Sequence, residues 1–237
     1  MTGNLLWRGM LAGILAALLA TLFARAFAEP QIDLAIAYEA AHAAHHAGAQ
    51  EAELVSRETQ KGFGLLTALA LYGAAVGGIF ALVFAYGYGR IAQIGPRSLA
   101  LVLAALAFLL IVLVPGIKYP QTPPAVGQHE TVGLRTAAYF AMIALSVCAA
   151  LVAARMRAVL ARTLRGFDAG LLAIAGYVVV VALGALLLPT IDEVPADFPA
   201  AILWNFRLAS LGSQLLLWTT IGVLFGRWAA ATLEQDR

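Results

Sequence analysis

Six runs of apolar residues, each about as long as a bilayer is thick, decide what this 237-residue chain can fold into. They cover approximately Leu5 to Phe27, Phe63 to Tyr86, Ser98 to Ile117, Thr136 to Ala154, Gly170 to Leu188 and Leu208 to Gly226. A hydrocarbon core of about 30 Å takes roughly 20 apolar residues per helix. Within it, every backbone N–H and C=O must be satisfied inside a helix or a closed barrel. No ten-residue alternation of apolar and polar residues suggests barrel strands, so the runs read as helices. The expected fold is all-α, a polytopic transmembrane helix bundle of about six spans forming one domain over residues 1–237. Composition agrees: 62% of residues are hydrophobic, 12% are charged, and the mean hydropathy is +0.86, well outside the usual soluble range.

The first run has a rival reading. Arg8, an apolar stretch and Ala26-Phe27-Ala28 together look like a signal peptide with its cleavage site. The stretch is long for that role, and Arg25 falls inside the would-be cleavage region, so retention as a span is favoured,. The single cysteine, Cys148, offers no disulfide framework and no cysteine-based metal motif, and is expected to pack as a small buried residue,.

Charge orients the spans. With six of them, both termini share a side with the segments 87–97 and 155–168. That side holds Arg8, Arg90, Arg97, Arg155, Arg157, Arg162, Arg165, Arg227 and Arg237, against Arg25, Arg57, Lys61, Lys118, Arg135 and Arg207 on the other. The positive-inside rule then places the N- and C-termini in the cytoplasm. Most acidic residues and all four histidines, His42, His45, His46 and His129, fall on the outer side. A net charge of +2 gives no sign of nucleic acid binding.

The outer loop 28–62 is the only long connection, and its Ala- and Glu-rich stretch from Ile32 to Leu54 favours an amphipathic helix on or near the membrane,. Gly-x-x-x-Gly spacings at Gly9/Gly13, Gly73/Gly77 and Gly222/Gly226 are compatible with close helix contacts, though weak signals in so Gly- and Ala-rich a chain,. The third run ends in Pro-Gly-Ile-Lys-Tyr-Pro-Gln-Thr-Pro-Pro-Ala-Val-Gly, residues 115–127. Its prolines bias Tyr119 and Thr122 toward extended geometry and stop the span near Lys118.

Three constellations could carry chemistry. His42, His45 and His46 stand at i, i+3 and i+4, with Glu39 one turn earlier, a donor set suited to a first-row transition metal,. The plainer reading is a solvated helix face. Asp192, Glu193 and Asp197, set between Pro189, Pro195 and Pro199, either collect divalent cations at a vestibule or pair with Lys118, Arg135 and Arg207,. Pairing is favoured, with those three cations as structural clamps. Arg207 opens the last run, and Gln214, two turns on, lines a path or holds helices together,. Nothing here is catalytic. There is no phosphate-binding loop and no nucleophile elbow, Gly133 stands where a zincin motif beginning at His129-Glu130 needs histidine, and Gly87-Tyr88-Gly89 is a turn,. The chain is not expected to be an enzyme or to hold a permanent cofactor.

Several blocks resemble the CbtA family of predicted cobalt-transporter subunits. They are Glu29-Pro30-Gln31-Ile32-Asp33, Val55-Ser56-Arg57, the 115–127 segment, Glu130-Thr131 with Arg135-Thr136, and Asp192-Glu193-Val194-Pro195-Ala196-Asp197-Phe198-Pro199 running into 203–212. The resemblance spans the chain. It implies a membrane subunit of a Co2+ uptake transporter supplying cobalamin synthesis, in the bacterial inner membrane, with a small histidine-bearing single-span partner of the CbtB type. Family members often carry a richer histidine run in the first outer loop than His42, His45 and His46, and Thr122 stands where asparagine is usual. The alternative is a non-transporting membrane scaffold, and a homo-oligomer is open under either reading.

Overall fold

A computed structural model of the chain describes residues 2–43, 65–90, 94–127 and 129–235. Six of its helices are long and apolar enough to cross a membrane. They are α1 (Thr2–Phe27), α3 (Leu65–Gly87), a composite third span, α6 (Val132–Leu160), α7 (Gly166–Leu187) and α8 (Ala200–Gln235). The composite span joins α4 (Pro96–Ala107), a π-helical stretch (Phe108–Leu113) and α5 (Val114–Lys118). A further helix, α2 (Glu29–Ala43), follows the first span, and single 3-10 turns at Pro124–Val126 and His129–Thr131 lead into α6.

Helix ends depart from the apolar runs for local reasons. α8 begins at Ala200, well ahead of Leu208, so Arg207 lies two turns inside the helix instead of at its start. Proline suits a first turn, and the Pro199 carbonyl accepts the amides of Ile202 and Leu203 at 3.1 and 3.3 Å. α6 runs past Ala154 to Leu160 because Arg155, Met156 and Arg157 are good helix formers wherever water begins,. At 1.5 Å per residue the 36 residues of α8 extend ~54 Å, more than a bilayer core needs,.

The π-helical stretch has a cause in the sequence. Pro115 carries no N–H, so it cannot serve the Ile111 carbonyl four residues earlier,. The helix widens just before it, and the Tyr139 hydroxyl, from α6, reaches the Ile111 carbonyl at 3.4 Å. That is long for an O–H donor, hence weak.

Contacts divide the chain into two compact units. The first comprises residues 1–108, 123–125 and 199–237, and so holds α1 to α4 and α8. Here α1 packs on α3 and α8, and α4 packs on α8. The glycine spacings make two of these seams. Gly9 and Gly13 of α1 face Gly77 and Gly73 of α3 so closely that a Cβ on any of the four would run into the opposing backbone. Gly222 and Gly226 of α8 receive Ala104 and Ala100 of α4, where an added Cβ would lie 2.8 and 3.0 Å from the alanine methyls. Without a hydrophobic force between helices in lipid, such close backbone approach is what makes association favourable. Phe80, Phe84 and Phe225 fill the remaining interior, with Phe225 edge-on to both others at ring separations of 5.5 and 5.0 Å, a favoured aromatic geometry. Arg8 donates to the Trp228 carbonyl at 2.6 Å, tying the start of α1 to the far part of α8.

The second unit, residues 109–122 and 126–198, holds α5, α6 and α7. Tyr119, Ala138 and Met142 are its buried core, with Val181 and Leu188 of the α7 end packed against them. Gly184 of α7 makes room for the Leu145 side chain, and Ser146 and Tyr177 satisfy one another across the two helices at 2.9 Å. α7 is otherwise little covered: only 6% of its most apolar window is buried. Cys148, expected to be buried, is exposed, because it sits on the α6 face that borders a groove against α7.

Candidate functional site

The polar residues of the second unit gather where its helices end. α6 begins after the turn at His129–Thr131, which brings Thr131 and Arg135 one turn apart on its first stretch,. The connection from α7 to α8 runs through Pro189, Pro195 and Pro199, and its rigidity holds Glu193 against that helix start,. Thr131 donates its hydroxyl to Oε1 of Glu193, and Arg135 donates Nη1 to Oε2. Both carboxylate oxygens are therefore engaged. The Glu193 side chain is 7% exposed and that of Arg135 34%, so the pair is enclosed on the acid's side and partly open on the base's.

Gly127 completes this arrangement. The Arg135 guanidinium takes the space that a side chain there would need, with Cζ 3.1 Å and Nη2 3.0 Å from where a Cβ would stand. A second tie runs beside it. The Tyr119 hydroxyl donates to the Pro189 carbonyl at 2.7 Å, closing the end of α5 onto the end of α7. Burial raises the Tyr119 phenol above its ordinary pKa, so the hydroxyl remains a donor through the physiological range. Tyr119 itself has φ −124° and ψ 76°, out of the helical region that Pro120 disfavours for it but short of the fully extended geometry expected,.

The structure places most, not all, of the residues singled out in the sequence. Lys118 ends α5, half-buried, with its ammonium 5.7 Å from the Tyr119 ring centroid, within cation–π range,. Asp192 and Asp197 are exposed on the connection. Arg207 and Gln214 are half-buried on α8 in the first unit. Glu39 is exposed near the end of α2. His42 is in the last turn of α2, while His45 and His46 lie outside the described residues, as does the rest of the outer loop to Gly64. Among the described residues no three His, Cys, Asp or Glu side chains are grouped as a metal ion would require.

Thr131, Gly127 and the Tyr119 hydroxyl were not legible as members of this cluster. In sequence, Tyr119 is an aromatic at the end of an apolar run, for which interfacial anchoring or packing suffices, and nothing beside Thr131 points to Glu193 as its partner,. Chemically, the cluster is a satisfied ion pair with one hydroxyl donor. A cation approaching Glu193 has to displace Arg135 first, whereas Asp192 and Asp197 are exposed on the connection.

A family model described as CbtA, probable cobalt transporter subunit, matches residues 2–230. No curated protein and no solved structure matches the chain.

Proposed function

The chain belongs to the CbtA family of probable cobalt transporter subunits, and from that premise we propose that it admits Co2+ to the cytoplasm for cobalamin synthesis, as the multi-pass subunit of an inner-membrane transporter. The observation that carries the reading is the family match over nearly the whole of a chain with six membrane-length helices. Both termini are cytoplasmic in this scheme, following the arginine distribution,. A small single-span subunit of the CbtB type, bearing histidine, works beside it.

Capture falls to His42, His45 and His46 with Glu39, whose imidazoles and carboxylate suit a divalent first-row metal,. The ion then passes the exposed carboxylates Asp192 and Asp197, and moves inward along helix interfaces near Gln214. A membrane potential contributes about 2.3 kcal/mol per charge per 100 mV, hence roughly 4.6 kcal/mol for a divalent ion, enough to drive uptake without ATP.

The test is entry of radioactive Co2+ into liposomes holding the purified chain with and without the partner. Replacing His42, His45 and His46 together by alanine lowers uptake at nanomolar to micromolar supply. Unchanged uptake removes the outer loop from the mechanism. A second reading, a non-transporting scaffold, is favoured by one observation: the most enclosed carboxylate of the acidic connection, Glu193, is already engaged by Arg135 and Thr131. Absence of Co2+ entry with the partner present, together with loss of partner from membranes lacking the chain, decides for the scaffold.

A further inference from the structure

A groove of about 230 Å³ runs between α6 and α7, lined by Leu145, Cys148, Val152, Met156, Gly176 and Val180 among others. Its lining is apolar. The one hydroxyl on it, that of Tyr177, is engaged by Ser146. For scale, an apolar cavity of about 150 Å³ already accepts a benzene ring. The lining positions on α6 recur at three and four residues as far as Met156, so the groove follows the helix to its polar end,.

At that end the chemistry changes within one residue. Arg155 and Arg157 flank Met156, and Arg162 and Arg165 follow in the turn before α7; all four are exposed. Arg157 reaches across to the neighbouring helix, its Nε 3.7 Å from where a Cβ on Gly170 would stand. The turn is built by local backbone bonds, from Ala161 to the Arg157 carbonyl at 2.9 Å and from Leu164 to the Leu160 carbonyl at 2.8 Å. The only acid nearby in sequence is Asp168. Val159 and Leu164, exposed and apolar, stand between the arginines, and Phe167, 81% exposed, follows the last of them.

We propose that the α6–α7 groove and its arginine turn form a binding site for an anionic phospholipid, with an acyl chain in the groove and the phosphate on Arg155, Arg157, Arg162 and Arg165. Hydrocarbon fills a channel that has no polar demand left. Guanidinium forks match phosphate oxygens in pairs, which a zwitterionic headgroup offsets with its own cation. A partner helix would fill the groove but leave the arginines without their complement. Val159, Leu164 and Phe167 would sit at headgroup depth, where exposed apolar side chains are at home.

The delipidated full-length protein, in neutral detergent, is offered equimolar dioleoyl phosphatidylglycerol and dioleoyl phosphatidylcholine, and bound lipid is counted by native mass spectrometry. Phosphatidylglycerol is retained at least about fivefold over phosphatidylcholine, the effect of a single arginine near an anionic headgroup. Arg155→Gln with Arg157→Gln lowers that preference, and Arg227→Gln, an exposed arginine on α8 outside the site, keeps it. Ala153→Phe blocks the groove and lowers retention of either lipid. Cys148→Phe does the same from an exposed position that cannot disturb the core. Equal retention of the two lipids, a preference as sensitive to Arg227→Gln as to the double change, or phosphatidylglycerol that survives both phenylalanines and is displaced by millimolar inorganic phosphate would overturn the proposal.

Discussion

Removing Arg135 should destabilise the second unit chiefly through the charge of Glu193, and a double-mutant cycle measures that dependence. In the folded chain the Glu193 side chain is 7% exposed and receives one hydroxyl and one guanidinium donor. Arg135→Ala leaves the carboxylate enclosed with Thr131 as its remaining described donor among the two. Breaking a buried pair from one side costs about 3–5 kcal/mol, and an exposed pair is worth about 0–1 kcal/mol. Arg135 is one-third exposed, so solvent screens part of its charge and the cost falls between, at about 2–3 kcal/mol. Glu193→Gln keeps the shape, removes the charge, and should cost about 1 kcal/mol, the scale of one hydrogen bond. In the double variant the penalty of a carboxylate that has lost its guanidinium is gone, giving a coupling of about 1.5–2 kcal/mol. Thermal unfolding in detergent micelles, read for wild type, both single variants and the pair, supplies the numbers. Additivity within about 0.5 kcal/mol would mean that the two side chains act independently, and the reasoning would fail.

Three other outcomes follow from the same geometry. Gly13→Ala should cost about 2–3 kcal/mol, the scale of an overpacked interior, because its Cβ would meet the Gly73 carbonyl carbon at 2.8 Å and the Gly77 Cα at 3.0 Å; Gly3→Ala on the same helix has nothing within 4 Å and should be neutral, so equal effects in an unfolding assay would refute the close seam. Tyr119→Phe should lose about 1 kcal/mol through its 2.7 Å bond to Pro189, and Tyr139→Phe about half that or less through a 3.4 Å bond to Ile111,; a reversed order in thermal unfolding would count against the assignment. Lys118→Ala removes a cation–π contact worth about 0.5–1 kcal/mol at a half-buried position,, and should lower folding yield or assembly while Co2+ affinity, measured by calorimetry on the folded fraction, stays constant.

The bundle was legible because a bilayer imposes a length that no soluble environment does, and each apolar run coincides with a membrane-length helix,. The ends were less legible. The stretch Ala200 to Arg207 is helical although Asn205 and Arg207 lower its hydropathy, because helix formation follows backbone satisfaction and proline placement, not apolarity,. The widened turn at Phe108–Leu113 left no mark in composition; only Pro115 hinted at it, and proline just as often ends a helix,. At the candidate site the obstacle is distance along the chain. Glu193 and Arg135 are 58 residues apart, and three acids faced three cations with nothing in the sequence to rank the pairings. The same holds for glycine: the spacing at Gly9/Gly13 announces a notch, but the matching notch at Gly73/Gly77 becomes its partner only in three dimensions.

Those opposed notches also act as a ruler. If α1 slid along α3 by a single residue, Cβ atoms would arrive where backbone now meets backbone, and Ala17 and Ala81, which already border the seam at Gly73 and Gly9, would be forced into it. Offset between the first two spans is therefore stored in four residues that have no side chains, and it does not depend on the length or composition of the segment joining them. The first two spans therefore rest most closely at the depth where Gly9 meets Gly77 and Gly13 meets Gly73. Insertions in the intervening loop can then accumulate while the alignment of the spans stays as it is.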